Sequence, residues 1–218
     1  MRFSMMKLES LRLRSFEIMN TKLAIKQLKK LDRLAPQEMR LAAEWDEDWK
    51  VLISTILSAQ TKDETTIAVC EILFDKYSSA KKLGAARLSS IEKFIRRINY
   101  YKTKARNIKE SARMISRDGI PEDLDGLLKL PGVGRKVGNV YLAEARRADT
   151  IGVDTHVARI SFKLGWTKNK NPHKVEKDLE KLFPKKYWRS INYILVRFGR
   201  SLGRSRKGED EVLGKLIN

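Results

Sequence analysis

The chain has one cysteine and two histidines in 218 residues. A disulfide framework is excluded, and one Cys with two His cannot complete a four-ligand zinc site or supply the thiolates of an iron–sulfur cluster. Without disulfides, secretion has no support and a reducing compartment fits the composition. No run approaches the roughly 18 consecutive apolar residues of a membrane-spanning helix. Strand-like alternation is missing too: Thr150 to Val153 comes nearest and is too short to build a sheet. There is no repeat at solenoid period and no low-complexity tract.

What the chain has in excess is positive charge. Lys and Arg number 46 against 27 Asp and Glu, a formal net charge of +19. A field of that sign concentrates polyanions, so nucleic acid is the first partner to consider and an anionic membrane surface the second. The hydrophobic fraction of 42% is enough to offset chain entropy. The length suits one large domain or two small ones. Residues 1–20 form a basic arm with spaced apolar side chains. They lack a signal peptide's continuous apolar region, and Glu9 and Glu17 count against an organellar leader.

Helical spacing recurs along the rest. Leu23, Leu28, Leu31 and Leu34 predict a first helix, broken at Pro36. Trp49, Leu52, Ile53, Ile56 and Leu57 predict a buried one behind the capping candidates Asp46 and Asp48. Further stripes are Ile67, Cys70, Ile72, Leu73 and Phe74, then Ile91, Phe94, Ile95 and Ile98, then Ala105, Ile108, Ala112 and Ile115 before Gly119. Asn171-Pro172 reads as an N-cap with proline at the first helical position, followed by Val175, Leu179 and Leu182 and a stop at Pro184. A last strong helix runs from about Tyr187 to Gly199. The fold class is all-α, and the sharpest punctuation falls at Ala148 to Gly152.

The segment from Asp123 to Arg146 carries the most chemical information. Leu124, Leu127 and Leu128 make a short helix face, Pro131 ends it, and Gly132-Val133-Gly134 reverses the chain into a helix bearing Val137, Val140 and Tyr141. This is a helix–hairpin–helix motif. Glycine suits the turn because the backbone must reach positive φ, and because a missing Cβ lets main-chain N–H groups approach a phosphate at the helix N-terminus. Arg135 and Lys136 follow in the first turn, where cations are ordinarily disfavoured, which points to a bound anion or to chemistry. A dinucleotide fingerprint is excluded, because Val137 stands at the third glycine position and a helix precedes the turn. The string Gly199-Arg-Ser-Leu-Gly203 is no nucleophile elbow, since it too follows a helix.

Eighteen residues beyond Lys136, Asp154 heads a helix with apolar stripe Val157, Ile160 and Leu164. Alone, Asp154 is an N-cap and His156 a residue of the helix start. Paired with a lysine behind a phosphate-binding turn, the carboxylate becomes a candidate catalytic partner.

Leu130-Pro-Gly-Val-Gly-Arg-Lys-Val-Gly-Asn-Val140 followed by Val153-Asp-Thr-His-Val157 resembles the endonuclease III family of base-excision DNA glycosylases. Leu57-Ser-Ala-Gln-Thr61 and Tyr101-Lys-Thr-Lys-Ala-Arg-Asn-Ile108 match two further family segments, so the resemblance covers residues 22 to 200. It implies two helical lobes with a DNA-binding cleft between them. Residues 38–150 would form a central barrel that contains the helix–hairpin–helix 123–146, and residues 21–37 with 151–218 the second lobe. It also implies a monomer acting on duplex DNA with damaged bases or abasic sites, in cytoplasm or nucleoid if prokaryotic and in nucleus or organelle otherwise, with no membrane involved.

By the same resemblance Lys136 is the amine nucleophile of a bifunctional glycosylase/AP lyase, forming a Schiff base at the sugar C1′ and nicking 3′ to the abasic site by β-elimination. Asp154 stabilises the positive charge that develops on the sugar. Gln60 fills the gap left by the flipped base, with Ile98 and Tyr100 as wedges. Lys102, Lys104, Gly132, Val133, Gly134, Arg135, His156 and Arg200 are the expected DNA contacts. Damaged pyrimidines are the expected substrates; an 8-oxoguanine glycosylase and a non-catalytic helix–hairpin–helix binder are the alternatives. The family usually has four cysteines near the C-terminus that hold a [4Fe–4S] cluster, and this chain has none there. No iron–sulfur cofactor is expected; a monovalent cation at the hairpin's main-chain carbonyls is compatible with the resemblance. Arg197, Arg200, Arg204, Arg206 and Lys207 are expected to replace the cluster loop's positive charge.

Overall fold

The computed structural model describes residues 20–202 and 206–217. The basic arm apart from Asn20, Arg204 and the side chain of Arg206 lie outside the described residues. Every regular element described is helical. The helices are α1 (20–34), α2 (Asp48–Ser58), α3 (Asp63–Lys76), α4 (Ala80–Ala85), α5 (Leu88–Phe94), α6 (Tyr101–Asp118), α7 (Leu124–Leu127), α8 (Arg135–Ala145), α9 (Thr155–Lys163), α10 (Pro172–Leu182), α11 (Trp188–Ser201) and α12 (Arg206–Ile217). The chain divides into two compact units, one spanning Glu38–Gly152 and the other made of the flanking segments, through Gln37 and from Val153 onward.

In the 38–152 unit, α6 packs against α2, α4 and α5, and α2 lies on α8. Its core joins Leu52, Ile53, Ile56 and Leu57 of α2 with Leu73, Ile91, Ile108 and Tyr141. Truncating one such side chain to alanine costs about 2–5 kcal/mol, so these helices hold the site's backbone firmly. Neither expected cap serves α2. Glu47 occupies the N-cap without a side-chain cap bond. Asp48 sits in the first turn, facing the helix's positive end, and pairs with Arg146. Asp46 holds Lys50 at 3.0 Å instead. The stripe predicted through Ile98 also ends early: α5 stops at Phe94, and Ile95 and Ile98 are buried beyond it. In α3 Ile72 of the predicted stripe is exposed, while Thr66 joins Val69, Cys70, Leu73 and Phe74 on the buried face.

In the other unit, α9 packs on α10 and α11. The α1 stripe is rotated from its predicted phase: Ala24, Gln27, Leu28 and Leu31 are buried, and Leu23 and Leu34 are exposed. Gln27 accepts from Trp166 Nε1 at 2.7 Å and donates to Leu216 O at 2.9 Å, which ties α1 to α12 through a buried amide. The charged C-terminal segment is thus a packed helix, with Glu209, Leu213 and Leu216 buried.

Candidate active site

The hairpin is built by three local constraints. Asp123 caps α7 by accepting from Gly126 N at 2.7 Å. Val133 N donates to Leu130 O at 3.1 Å, and Ser111 Oγ on α6 donates to Pro131 O at 2.7 Å. The two glycines of the turn differ in kind. Gly132 has φ +83, and a Cβ there would lie 3.0 Å from Asn107 and from Ile56, so both conformation and space demand glycine. Gly134, the N-cap of α8, has φ −96, and a Cβ there would meet nothing within 4 Å. The fold itself does not require glycine at this second position. Val133 is buried, so any contact it makes to a ligand runs through its main chain.

Arg135 and Lys136 are the first two residues of α8, both half-buried, with no acidic residue in that turn. Each cation there opposes the helix dipole by about 0.3–1 kcal/mol. Among the described residues Lys136 has no hydrogen-bond or ion-pair partner. Its amine is free to meet a substrate.

Asp154 is the N-cap of α9, its Oδ1 accepting from Val157 N at 2.8 Å, which leaves Oδ2 uncommitted to that cap. His156, the second residue of α9, is half-buried, with Nδ1 3.1 Å from Arg159 Nη2. A Cβ at Gly199 would lie 2.3 Å from that Nδ1, so α11 closes directly onto the imidazole. Burial pushes the His156 pKa down, with Asp154 acting the other way. Arg159 in turn gives both Nε and Nη2 to Glu209 of α12, at 2.9 and 2.8 Å.

The expected duplex-entering residues separate into surface and core. Gln60 and Tyr100 are exposed, and both hold left-handed backbone, at φ 56 and 59. Lys102 is exposed in the first turn of α6. Ile98, by contrast, is 2% exposed within the core and is not available as a wedge. Lys104 is 7% exposed, and its Nζ donates to Leu57 O and Ala59 O at 2.7 and 2.5 Å. Those bonds turn it inward, away from any phosphate.

The tail needs a similar correction. Arg197 is 4% exposed, stacks on Tyr193 with its guanidinium 3.7 Å from the ring centroid, and donates to Gln37 O at 2.6 Å. It is a packing residue, not part of a basic surface. Arg200, half-buried near the end of α11, and exposed Lys207 are the described members of the expected set that reach the surface. Cys70 is fully buried in the core and burial pushes its thiol pKa up, so it cannot serve as an exposed thiolate ligand. The residues present do not fit an iron–sulfur cluster. No group of three His, Cys, Asp or Glu arranged for a metal occurs among the described residues. At the hairpin, Leu130 O and Pro131 O each already accept a protein hydrogen bond.

Sequence reasoning missed the residues that support the site. Ser111 falls in phase with Ile108, Ala112 and Ile115, and a polar residue in a buried stripe was the signal for it. Asn139, within the hairpin motif, is 2% exposed and donates Nδ2 to Ile151 O at 3.0 Å, while its own carbonyl accepts from Thr150 Oγ1 at 2.8 Å. It anchors the segment that leads toward Asp154.

A helix–hairpin–helix built on an all-α scaffold defines a class, and comparison agrees. Residues 53–185 match the family model described as HhH-GPD superfamily base excision DNA repair protein. The chain is 40% identical over 157 residues to endonuclease III of Thermotoga maritima, covering 71% of this chain and 74% of that one. Among solved structures, a non-covalent endonuclease III–DNA complex superposes with a TM-score of 0.81 at 33% identity, covering 90% of this chain and 94% of the other. A trapped endonuclease III–DNA covalent intermediate superposes with a TM-score of 0.78, also at 33% identity, covering 85% and 89%. The chain belongs to the endonuclease III family of this superfamily.

Proposed function

We propose that the chain excises damaged pyrimidines from duplex DNA and nicks the strand at the abasic site, with Lys136 as the nucleophile and Asp154 as its electrostatic partner. Membership of the family makes it a base-excision DNA glycosylase and abasic-site lyase. The observation that supports Lys136 is its setting: an amine without a partner among the described residues, two residues behind a glycine that the fold does not need. An open Gly134 lets a phosphate approach the main-chain N–H groups at the start of α8, where the helix dipole favours an anion.

A base inside a duplex is out of reach, so the nucleotide is flipped out first. The neutral Lys136 amine attacks C1′, the bond from C1′ to the base breaks, and the base leaves with a proton. Opening of the sugar ring gives a protonated Schiff base between Nζ and C1′. Loss of a C2′ proton then expels the 3′ phosphate, and water releases the lysine. Asp154 keeps Oδ1 on its cap and uses Oδ2 to stabilise the charge that develops on the sugar. The hairpin positions the strand while Gln60 and Tyr100 occupy the space vacated in the duplex. With a bacterial relative at 40% identity and a chloroplastic one at 37%, the enzyme acts as a monomer at a nucleoid or in an organelle.

Borohydride trapping tests this reading on duplexes that contain thymine glycol, uracil, 8-oxoguanine or an abasic site. A covalent adduct with thymine glycol and with the abasic site is expected, and none with Lys136→Gln despite retained DNA binding. An adduct that survives this substitution makes another amine the nucleophile, and trapping confined to 8-oxoguanine overturns the pyrimidine assignment.

A further inference from the structure

Gln60 and Tyr100, non-glycine residues in left-handed backbone, both exposed and both assigned above to enter the duplex, need something to hold them. Such conformations persist only where surrounding contacts over-determine them. For Gln60 and Tyr100 those contacts converge on two residues. Asn99 Nδ2 donates to Gln60 O at 2.5 Å, and Asn99 N donates to Thr61 Oγ1 at 3.2 Å. The loop after α2 is thereby bonded to the residue that precedes Tyr100. Beneath them, Lys104 Nζ on α6 reaches Leu57 O, Ala59 O and Thr61 Oγ1 at 2.7, 2.5 and 3.4 Å. One ammonium closes the C-terminus of α2 and takes hold of the oxygen that Asn99 also uses.

We infer that Lys104 and Asn99 are positioning residues that join the Gln60 and Tyr100 loops into one rigid element, so that both side chains enter the duplex together. The inference rests on the DNA-repair reading above and adds to it the parts that set the geometry of the inserting residues. Lys104 is an unusual choice for mere packing. It is 7% exposed, and burial pushes its pKa down to about 8, with no carboxylate among its hydrogen-bond partners. A buried cation is disfavoured unless its hydrogen bonds are satisfied. Here they go to the last turn of α2 and to the loop that follows it, with the negative end of α2 favouring the charge. The brace is made wholly within the 38–152 unit and touches no reacting atom, so it acts on extrusion of the base and not on the amine chemistry.

The test uses the full chain and a duplex that carries a tetrahydrofuran abasic analogue beside 2-aminopurine. Saturating wild-type protein is expected to raise the 2-aminopurine fluorescence as the loops unstack it. Lys104→Met and Asn99→Ala should lose most of that change while still binding the duplex. Asn99 is exposed, so its variant keeps the fold if the lysine variant does not. Release of a damaged base from duplex DNA should slow about 10- to 100-fold, as expected for a misplaced positioning group. Trapping on a single-stranded abasic site, which needs no insertion, should stay within about twofold. In a Gln60→Ala, Tyr100→Ala background, Lys104→Met should have little further effect on release, because coupled groups are not additive. A full fluorescence change in both single variants reduces Lys104 to a stabilising cap and overturns the inference, as does a wild-type protein that gives no change. Failure of wild-type protein to trap on any substrate instead overturns the assigned chemistry, and the fluorescence still decides the positioning.

Discussion

Glu209 is the side chain whose removal should say most about how this chain holds its C-terminal helix. It is 3% exposed on α12 and accepts two bonds from Arg159, at 2.9 and 2.8 Å, and one from Lys163 at 2.7 Å. Burial alone raises its pKa, but the bonds from Arg159 and Lys163 outweigh that and bring it from 4.5 to about 2. A folded-state pKa below the unfolded one contributes stability that is fully present above pH 4.5 and is lost as the pH falls toward 2. A shift of that size corresponds to about 3 kcal/mol at neutral pH. It agrees with the roughly 3–5 kcal/mol lost when one partner of a buried ion pair is removed. Glu209→Gln should therefore reduce the docking equilibrium of α12 by about 100-fold. Amide hydrogen exchange reads this directly: protection over 209–216 should fall while that of α6 in the other unit is unchanged. Between pH 4.5 and 2 the wild type should lose stability that the variant has already lost. A variant with wild-type exchange in α12, or with the same acid profile, would refute the account of α12 as an ion-paired clamp on α9.

Three further substitutions separate fold from chemistry. Asp154→Asn keeps a good N-cap, so its stability should stay within a few tenths of a kcal/mol while base release slows far more than binding weakens; Asp154→Ala should lose about 1 kcal/mol in addition. Denaturant titration and single-turnover excision together distinguish the two variants. Gly132→Ala is strained at φ +83 and crowded by Asn107, and should cost at least about 1–2 kcal/mol in a thermal melt. Gly134→Ala meets open space, so it should melt as wild type yet bind duplex DNA more weakly. Equal losses of binding and stability in both glycine variants would remove the argument for phosphate approach at α8.

Much of the helical order was legible because apolar stripes with strong caps survive tertiary packing: Asn171 caps α10 as its sequence predicts, accepting from His173 N and Lys174 N. The hairpin was legible for another reason. Its glycines and its cations are both unfavourable in an ordinary helical turn, and two local costs at one place point to a site. What escaped notice was polar support inside apolar stripes. Gln27 and Ser111 are buried because each satisfies a partner remote in sequence, and periodicity carries no information about that partner. The phase of α1 was missed for the same reason, since placing Gln27 in the core rotates the helix and exposes Leu23 and Leu34.

Positive charge counted along a sequence does not show where it can act, and Arg197 puts a number on the difference. It lies in the charge-dense stretch that begins the C-terminal tail, yet it is 4% exposed and its guanidinium lies 3.7 Å from the Tyr193 ring centroid. Each cation that neutralises a duplex phosphate contributes about 0.9 to the slope of log K against log salt. Arg197→Met should leave that slope unchanged, because no phosphate can reach the guanidinium where it lies. It should instead lower stability by about 2–4 kcal/mol, through loss of a charged hydrogen bond to Gln37 O and of the stacking on Tyr193. Exposed Lys207 gives the contrast: if α12 lies against the DNA, Lys207→Gln reduces the slope by about 0.9 and leaves the melt alone. A change of slope with Arg197→Met would mean that α11 opens on binding. The buried ion pairs of α12 would then be part of a moving element, and Glu209→Gln would alter DNA binding as well as stability.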